Sequence, residues 1–399
     1  MPKQKNVLII VENLPVPFDR RVWQEATTLK EAGYGVSVIC PKGKGHTQSH
    51  EVIDGINVYR HNLPFEAAGG FGYLVEYSCA LFWQFTLSFK VLIKHGFDVI
   101  QACNPPDLIY LVAAFYKSVL GKRFIFDQHD LNPELYELKF GKRGLFHSLL
   151  CHFERRTFRW ADASIATNQT FKKIAMERGG MAPDRVWIVK SYPDLKRFRR
   201  VAPNPDLHGK FKALVGYVGI IANQDGVDLL VRAMAEIVKS GRTDLGCVII
   251  GDGPALQDLK DLARDLKVEA FVNFTGYLKG ETLLAHLSAI DVGVIPDPSN
   301  SCNDKLSMNK VFEYMALGIP FVQFDLPQSR SEAREAAWVA TACTPEALAH
   351  SIAKLADDPD ARKRMSAFGR ETAEREFQWE NQKRALLDAY AAVIGAPTS

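Results

Sequence analysis

The sequence predicts an α/β protein of two doubly wound parallel-sheet domains that face each other across a cleft. Three observations carry that expectation. An apolar run at Asn6 to Val11, a helical apolar period at Arg20 to Ala32 (Val22, Ala26, Leu29) and a second apolar run at Val36 to Cys40 form a strand, helix, strand unit. So short a crossover joins parallel strands with right-handed chirality. The alternation stops at Ala202 to Gly209, APNPDLHG, and then starts again, which marks a linker. The chain has 399 residues, room for about two or three cores.

The first half continues with a strand expected at Val52 to Arg60, one or two helices over Phe71 to His95, and a strand at Asp98 to Ala102. Leu108 to Leu120 reads as a helix ended by Gly121, and Arg123 to Asp127 as a strand. Pro133 to Trp160 is mostly helical with a break at Gly141 to Gly144, and strands follow at Ala163 to Thr167 and Val186 to Lys190. In the second half, strands are expected at Ala213 to Val218, Cys247 to Gly251, Phe271 to Phe274, Val292 to Ile295, Phe321 to Phe324 and Trp338 to Ala340. Helices fall between them at Val227 to Lys239, Ala255 to Leu266, Glu281 to Ser288 and Met308 to Leu317. A last helix, Asn381 to Val393, is free to pack back on the first half. The expected division is 1–200, a linker at 201–209, a second domain at 210–375 and the terminal helix within 376–399.

A net charge of +3 is too small to argue for a nucleic-acid partner. Seven cysteines, odd in number and without a CxxC pair, point to reduced thiols in a cytoplasmic setting rather than a disulfide framework or zinc knuckle. The first residues do not read as a signal peptide, and no window offers 18 uncharged apolar residues.

Ligands of open α/β sheets bind beyond the carboxyl ends of the strands. That rule selects Glu12 to Arg21, CNPPD at Cys103 to Asp107, and QHDLNPE at Gln128 to Glu134 in the first half. In the second half it selects Gly219 to Gly226, GDGP at Gly251 to Pro254, TGYLK at Thr275 to Lys279, and Ser299 to Asp325. His129 is the best-placed imidazole, directly after a buried strand. The competing reading is a structural histidine, with Asp130 or Asn132 capping the next helix. Asn104 lies in the CNPPD loop. Asp19, Arg20 and Arg21 read either as a grip on an anionic acceptor or as a charged first helical turn. Gly219, Asn223 and Gly226 surround a tight connection whose N–H groups suit a phosphate, although the spacing is neither GxGxxG nor Walker A.

Within Ser299 to Asp325, Met308, Val311, Phe312 and Met315 share one helical face, leaving Lys305, Lys310 and Glu313 off it near the helix start. Two lysines beside unpaired helical N–H groups suit a phosphate, and Glu313 a neighbouring sugar hydroxyl. The alternative is a Lys310–Glu313 surface pair of a few tenths of a kcal/mol. No DxD follows a strand and no His or Cys cluster is visible in the sequence, so no catalytic metal is expected.

Four stretches resemble the GT-B glycosyltransferases of glycosyltransferase family 4: DRRVWQEATTLKEAGYGVSVIC, HDLNPE, GDGP followed by FTGYL, and NKVFEYMALGIPFVQFD. They span nearly the whole chain in the family's order. The resemblance implies two Rossmann-like domains, with the donor bound mainly by the second. It also implies metal-independent transfer of a sugar from a nucleotide donor, with retention and no bound cofactor. By position, Glu313 would bind the donor ribose and His129 would meet the transferred sugar. Gly276, Tyr277 and Leu278 would border the base. The loop Leu306 to Lys310, including Ser307, Met308 and Asn309, would offer N–H groups to the diphosphate. The chain departs from the family at Lys305, where a glutamate is usual, and at Ile220 and Asp225, where the family has a phosphate-binding Arg and Lys. The expectation is that Lys305 and Lys310 supply the missing positive charge while Asp304 covers the lost sugar contact. The acceptor would be a lipid-linked or polysaccharide intermediate.

Other readings stay open at this level. One is a nucleotide-sugar epimerase of the same fold, another a dinucleotide oxidoreductase (though GxGxxG is missing after the first strand), and a third a non-enzymatic partner in polysaccharide assembly. The aromatic stretch Phe71 to Phe97, including Phe71, Leu74, Leu81, Phe82, Phe85, Phe89 and Leu92, has two readings as well. It is either a helix pair in the first core or, with Lys90, Lys94 and Lys139 to Arg143, a seat on an anionic inner membrane surface.

Overall fold

The computed structural model describes residues 4–62 and 69–396. Contacts divide the chain into two compact units, residues 1–191 with 382–399, and residues 192–381. The first unit holds β1 (Asn6–Ile10), β2 (Gly35–Pro41), β3 (His50–Ile53), β4 (Ile56–His61), β5 (Val99–Cys103), β6 (Arg123–Gln128), β7 (Ala163–Ala166) and β8 (Val186–Ile188). The second holds β9 (Ala213–Val218), β10 (Leu245–Ile250), β11 (Val272–Gly276), β12 (Val292–Ile295), β13 (Phe321–Gln323) and β14 (Ala337–Val339).

The sheet orders are β3-β4-β2-β1-β5-β6-β7-β8 and β11-β10-β9-β12-β13-β14. Every pairing is parallel except β3 with β4. Strands buried on both faces need unbroken apolar runs, and β1, β5, β9 and β10 have them: Leu8, Ile9, Ile10, Val215, Tyr217, Val248 and Ile249 have no exposed surface.

Three features differ from the sequence expectation. The single strand at Val52 to Arg60 is a hairpin. Asp54 (φ 49°) and Gly55 (φ 75°) form the turn that pairs Ile53 with Ile56, and two consecutive positive φ angles suit Asp-Gly. The stretch around Phe71 to His95 is one helix, Gly69–Lys94, within the expectation of one or two. Its inner face buries Ala80, Leu87 and Val91, while Phe82, Phe89 and Ile93 remain exposed. The helices Gln169–Glu177, Pro327–Ala333, Pro345–Asp357 and Pro359–Arg375 were not anticipated. Residues 202–209 lie inside the second unit, whose boundary with the first is at 191/192.

Side chains cap the late helices. Thr344 accepts from the N–H of Ala347 and Asp358 from that of Ala361, each with Pro at the first helical position. Helix Glu380–Ile394 contributes its length from Gln382 onward to the first unit. There Lys383 pairs with Glu31 at 3.0 Å and the Tyr390 hydroxyl bonds Gln101.

Candidate active site

In the first sheet the chain passes from β1 to β2 on one side, and β5 and β6 lie on the other. The loops beyond β1, β5 and β6 therefore converge at a topological switch point. Asp19 caps helix Arg20–Glu31, accepting from Val22 N–H at 3.1 Å. One residue into that helix, Arg21 turns inward. Its guanidinium donates to Asp127 at 2.7 Å, to the Val189 carbonyl at 2.8 Å and to Ser191 at 3.2 Å, and it lies 3.2 Å from Glu25. Of the two readings of Arg21 this arrangement favours the structural one: its charge meets Asp127 and Glu25 inside the unit. Asp19 is equally committed as a cap, and Arg20 is half-buried beside it.

Asp127, at the end of β6, is fully buried and organises this cluster. Its second oxygen takes Gln101 Nε2 at 3.0 Å and His129 Nε2 at 2.7 Å. Arg21 Nε–H also points at His129 Nε2 from 3.1 Å. One nitrogen cannot donate to Asp127 and accept from Arg21 at once, and the shorter, charge-assisted bond to Asp127 prevails. Burial opposes a charge on Asp127, but Arg21 and then His129 hold its carboxyl well below the usual carboxylate range. Burial works against the His129 imidazolium as well, yet Asp127 raises it on balance. Glu25 goes the other way: burial and the neighbouring Asp127 charge push its carboxyl up to about 8. Gln101 links the two acids, donating to Glu25 at 2.6 Å and accepting from Tyr390.

Asn104 is a positioning residue. Its carbonyl accepts from the N–H groups of His129 (2.7 Å) and Asp130 (3.2 Å), and its amide donates to Asp107 and to the Asp130 carbonyl, both at 2.9 Å. Only 1% of it is exposed, so its expected contact with an acceptor is replaced by shaping the loop that carries His129. Burial raises the Asp130 carboxyl, with His129 opposing. Cys103, Asp127 and His129 bring three potential metal-ligand atoms within 4.8 Å of one another. The Arg21 guanidinium already neutralises Asp127 there, and burial followed by Asp127 drives the Cys103 thiol well up.

In the second sheet the switch point lies at β9, between β10 and β12. The loop after β9 is held tightly. Gly226 has φ 65°, and a Cβ there would lie 2.2 Å from the Pro296 carbonyl. A Cβ on Gly253 would lie 2.3 Å from the Ile221 carbonyl, so GDGP serves close backbone approach. Three amides of this loop are committed within the unit: Gly219 N–H bonds Ile250 at 3.1 Å, Ile221 N–H bonds Asp252 at 3.1 Å, and Ala222 N–H bonds Asp225 at 3.0 Å. The Gly219 amide thus anchors the loop to β10. Asn223 stays exposed at the tip.

Beyond β12 the chain forms a short 3-10 turn, Asn303–Lys305, and then helix Asn309–Leu317. Met308 precedes that helix without a side-chain cap; its carbonyl takes the Val311 N–H at 3.0 Å, and the Asn309 and Lys310 amides are the first-turn groups a ligand could meet. The Leu306 N–H bonds Asn303 at 3.2 Å. The far end is fastened: Arg200 donates to the Leu317 carbonyl at 2.6 Å, Ser366 to that of Gly318 at 2.6 Å, and Arg370 to that of Ala316. Cations at a helix C-terminus oppose its negative pole. Gly318 closes the helix at φ 59°.

Lys310 is not on the open surface. It is 12% exposed, lies 2.8 Å from Asp297 and stands over the Tyr217 ring at 4.9 Å. This corrects the surface-pair reading: its ion-pair partner is Asp297, thirteen residues back, rather than Glu313. Burial disfavours the ammonium, but Asp297, Tyr217 and Asp225 keep it charged. Asp225, pushed up to about 6 by burial against the pull of Lys310, faces the same charge. Glu313 lies one turn into the helix, half-buried. Asp304 accepts from Ser299 at 3.2 Å, and its other oxygen is buried without a protein partner. Lys305 is half-buried, Asn309 is exposed, and Ser307 donates to Glu332 at 2.6 Å. After β11, Gly276 takes φ 72°, Tyr277 is 52% exposed and Leu278 is half-buried.

Sequence reasoning missed Asp127, Glu25, Gln101, Tyr390, Asp297 and Tyr217. A charged and an amide residue ending the apolar strand FIFDQ was a readable signal, because buried charges need partners.

Two family models match the chain: Glycosyltransferase Family 4 over residues 19–197 and Glycosyl transferases group 1 over residues 212–358. Alpha-D-kanosaminyltransferase of Streptomyces kanamyceticus is 32% identical over 158 residues, 39% of this chain and 39% of the relative. The GDP-mannose-dependent alpha-(1-6)-phosphatidylinositol monomannoside mannosyltransferase of Mycolicibacterium smegmatis is 26% identical over 47% of this chain and 52% of its own length. The chain thus spans about half or less of these relatives. Sucrose-phosphate synthase from Thermosynechococcus elongatus superimposes with a TM-score of 0.79 at 18% identity, over 97% of this chain and 98% of that one. With both Rossmann-like sheets accounted for and a family model on each, the chain belongs to glycosyltransferase family 4 and has the GT-B fold.

Proposed function

We propose that the protein moves a sugar from a nucleoside-diphosphate donor to a lipid-linked or polysaccharide acceptor, with retention at the anomeric carbon and without a metal ion. The observation that carries the donor reading is the uncapped start of helix Asn309–Leu317 at the carboxyl end of β12, with Glu313 one turn in and Lys310 charged beneath it. In this reading the amides of Ser307, Met308, Asn309 and Lys310 receive the diphosphate, supported by the charges of Lys305 and Lys310. Glu313 accepts from the ribose hydroxyls. Gly276, Tyr277 and Leu278 border the base, Asn223 lies at the rim, and Asp304 offers its unpartnered oxygen to the sugar. His129, whose imidazolium form Asp127 favours, acts on the transferred sugar. The GDP-mannose dependence and the phosphatidylinositol monomannoside named for the Mycolicibacterium relative favour a nucleotide donor and a lipid-linked acceptor.

The bond from the anomeric carbon to the diphosphate oxygen breaks, and the acceptor oxygen bonds the same face of that carbon. The acceptor proton passes to the departing phosphate. Fixed donors and lysines stabilise the leaving charge, so no separate general base is required. A panel of labelled UDP-, GDP- and ADP-sugars with a membrane lipid extract tests this, with EDTA present and absent. Label should enter lipid from one donor with undiminished rate in EDTA, and the product should keep the donor's anomeric configuration. Conversion of donor without acceptor would instead indicate an epimerase, and retained complex formation without donor binding an assembly partner.

A further inference from the structure

We propose that the first unit docks on an anionic lipid bilayer through the outer face of three neighbouring helices, Gly69–Lys94, Tyr110–Leu120 and Leu145–Trp160. The crossovers β4 to β5, β5 to β6 and β6 to β7 all run in one direction along the sheet, so right-handed connections place these helices on one face. Phe85 meets Phe115 edge-on at 4.9 Å, and Lys117 donates to the Trp160 carbonyl at 2.8 Å, which joins the three side by side. Their outward side chains are apolar to a degree a solvated face does not require: Phe82 is 64% exposed, Phe89 52%, Ile93 72%, Phe115 40%, Val119 61% and Leu145 90%. Phe71 and Leu74 belong to the same stretch but lie outside the residues whose side chains are described.

Charge decides the occupant. Residues 69–95, 110–123 and 132–162 contain eleven Lys and Arg against four Glu and one Asp, whereas the whole chain is only +3; Asp162 pairs with Lys117 and Arg123. Glu134 and Glu154 are buried against Arg178, and Glu137 pairs with Arg143. Lys90, Lys94, Lys139, Lys142, Arg155 and Arg156 remain exposed around the apolar residues. A second copy on this face would bring like charges together, while anionic headgroups would neutralise them and the acyl region would take the aromatics. No helix among the described residues is long and apolar enough to cross a membrane, so the geometry is that of a surface seat. This inference does not depend on the sugar-transfer reading.

Flotation of the full-length protein with phosphatidylglycerol/phosphatidylcholine vesicles, without any nucleotide sugar, tests it. The wild type should float with these vesicles, remain at the bottom with phosphatidylcholine alone, and release in high salt. The Phe89→Glu/Ile93→Glu variant should lose at least ten-fold in partitioning with its melting temperature retained. Arg155→Glu/Arg156→Glu should lose about five-fold per residue. Failure of the wild type to float on anionic vesicles overturns the proposal. So does equal binding to neutral vesicles, or a dimer in light scattering that the Phe89→Glu/Ile93→Glu variant dissociates.

Discussion

Arg21 in the first unit and Lys310 in the second are both buried cations beyond the carboxyl ends of central strands, and each faces two carboxylates. Arg21 bonds Asp127 and lies against Glu25, while its remaining N–H groups reach the Val189 carbonyl and Ser191. Its planar fork uses several directions at once, and Gln101, Asn104 and Tyr390 tie the surrounding groups together. Lys310 has one short ion pair, to Asp297, and otherwise rests on the Tyr217 ring within electrostatic reach of Asp225. A guanidinium fixes geometry, whereas an ammonium is a point charge on a flexible stem. The first cluster is therefore suited to hold His129 in one orientation, and the second to turn its charge toward an arriving diphosphate.

The largest expected effect comes from breaking the first cluster. Asp127→Ala leaves Arg21 with Glu25 alone and should cost about 3–5 kcal/mol in urea unfolding. It also removes the charge that raises His129. The imidazolium should then deprotonate at lower pH, moving the alkaline limb of the rate profile downward. A variant as stable as the wild type with an unmoved profile would mean that Asp127 does not organise the site.

Glu25→Gln sharpens the same cluster. The Glu25 carboxyl, raised to about 8 when folded, binds more protons in the native than in the unfolded chain from about pH 4.5 to 8. Its contribution to stability is therefore fully present below its unfolded value and lost as pH rises through about 8. Relative to the wild type, Glu25→Gln should gain about 3–4 kcal/mol between pH 5 and pH 8. Parallel stability curves for the two proteins would show that Glu25 is ionised throughout, sharing Arg21 with Asp127.

These clusters also show where sequence reading stops. The strands were legible because parallel strands buried on both faces must be apolar runs, and Gly318 was legible as a helix end because φ 59° suits glycine. The hairpin turn at Asp54-Gly55 and the caps Thr344-Pro345 and Asp358-Pro359 were written locally but lay outside the strand and helix alternation. The pairing of Arg21 with Asp127 spans 106 residues and that of Gln101 with Tyr390 spans 289. No local period encodes either. Position along the chain led to the His129 loop and to Glu313; the partners that orient His129 and neutralise Lys310 follow only from strand order.

Lys310→Ala tests the other side of the comparison and should have the smallest effect on stability but a clear one on ligand binding. Removing the ammonium leaves Asp297 and Asp225 facing each other, and Asp225, already raised to about 6, should take up a proton to relieve them. The fold is thereby spared much of the cost that Asp127→Ala incurs. A nucleoside diphosphate would lose one favourable charge and meet an acidic pocket, so its dissociation constant by calorimetry should rise about ten-fold, or about 1.4 kcal/mol. Lys310→Met/Asp297→Asn removes cation and anion together. It should recover any stability lost in Lys310→Ala while keeping the weakened binding. If instead the double variant binds the diphosphate as tightly as the wild type, Lys310 serves only to neutralise Asp297, and the two clusters are alike in being structural.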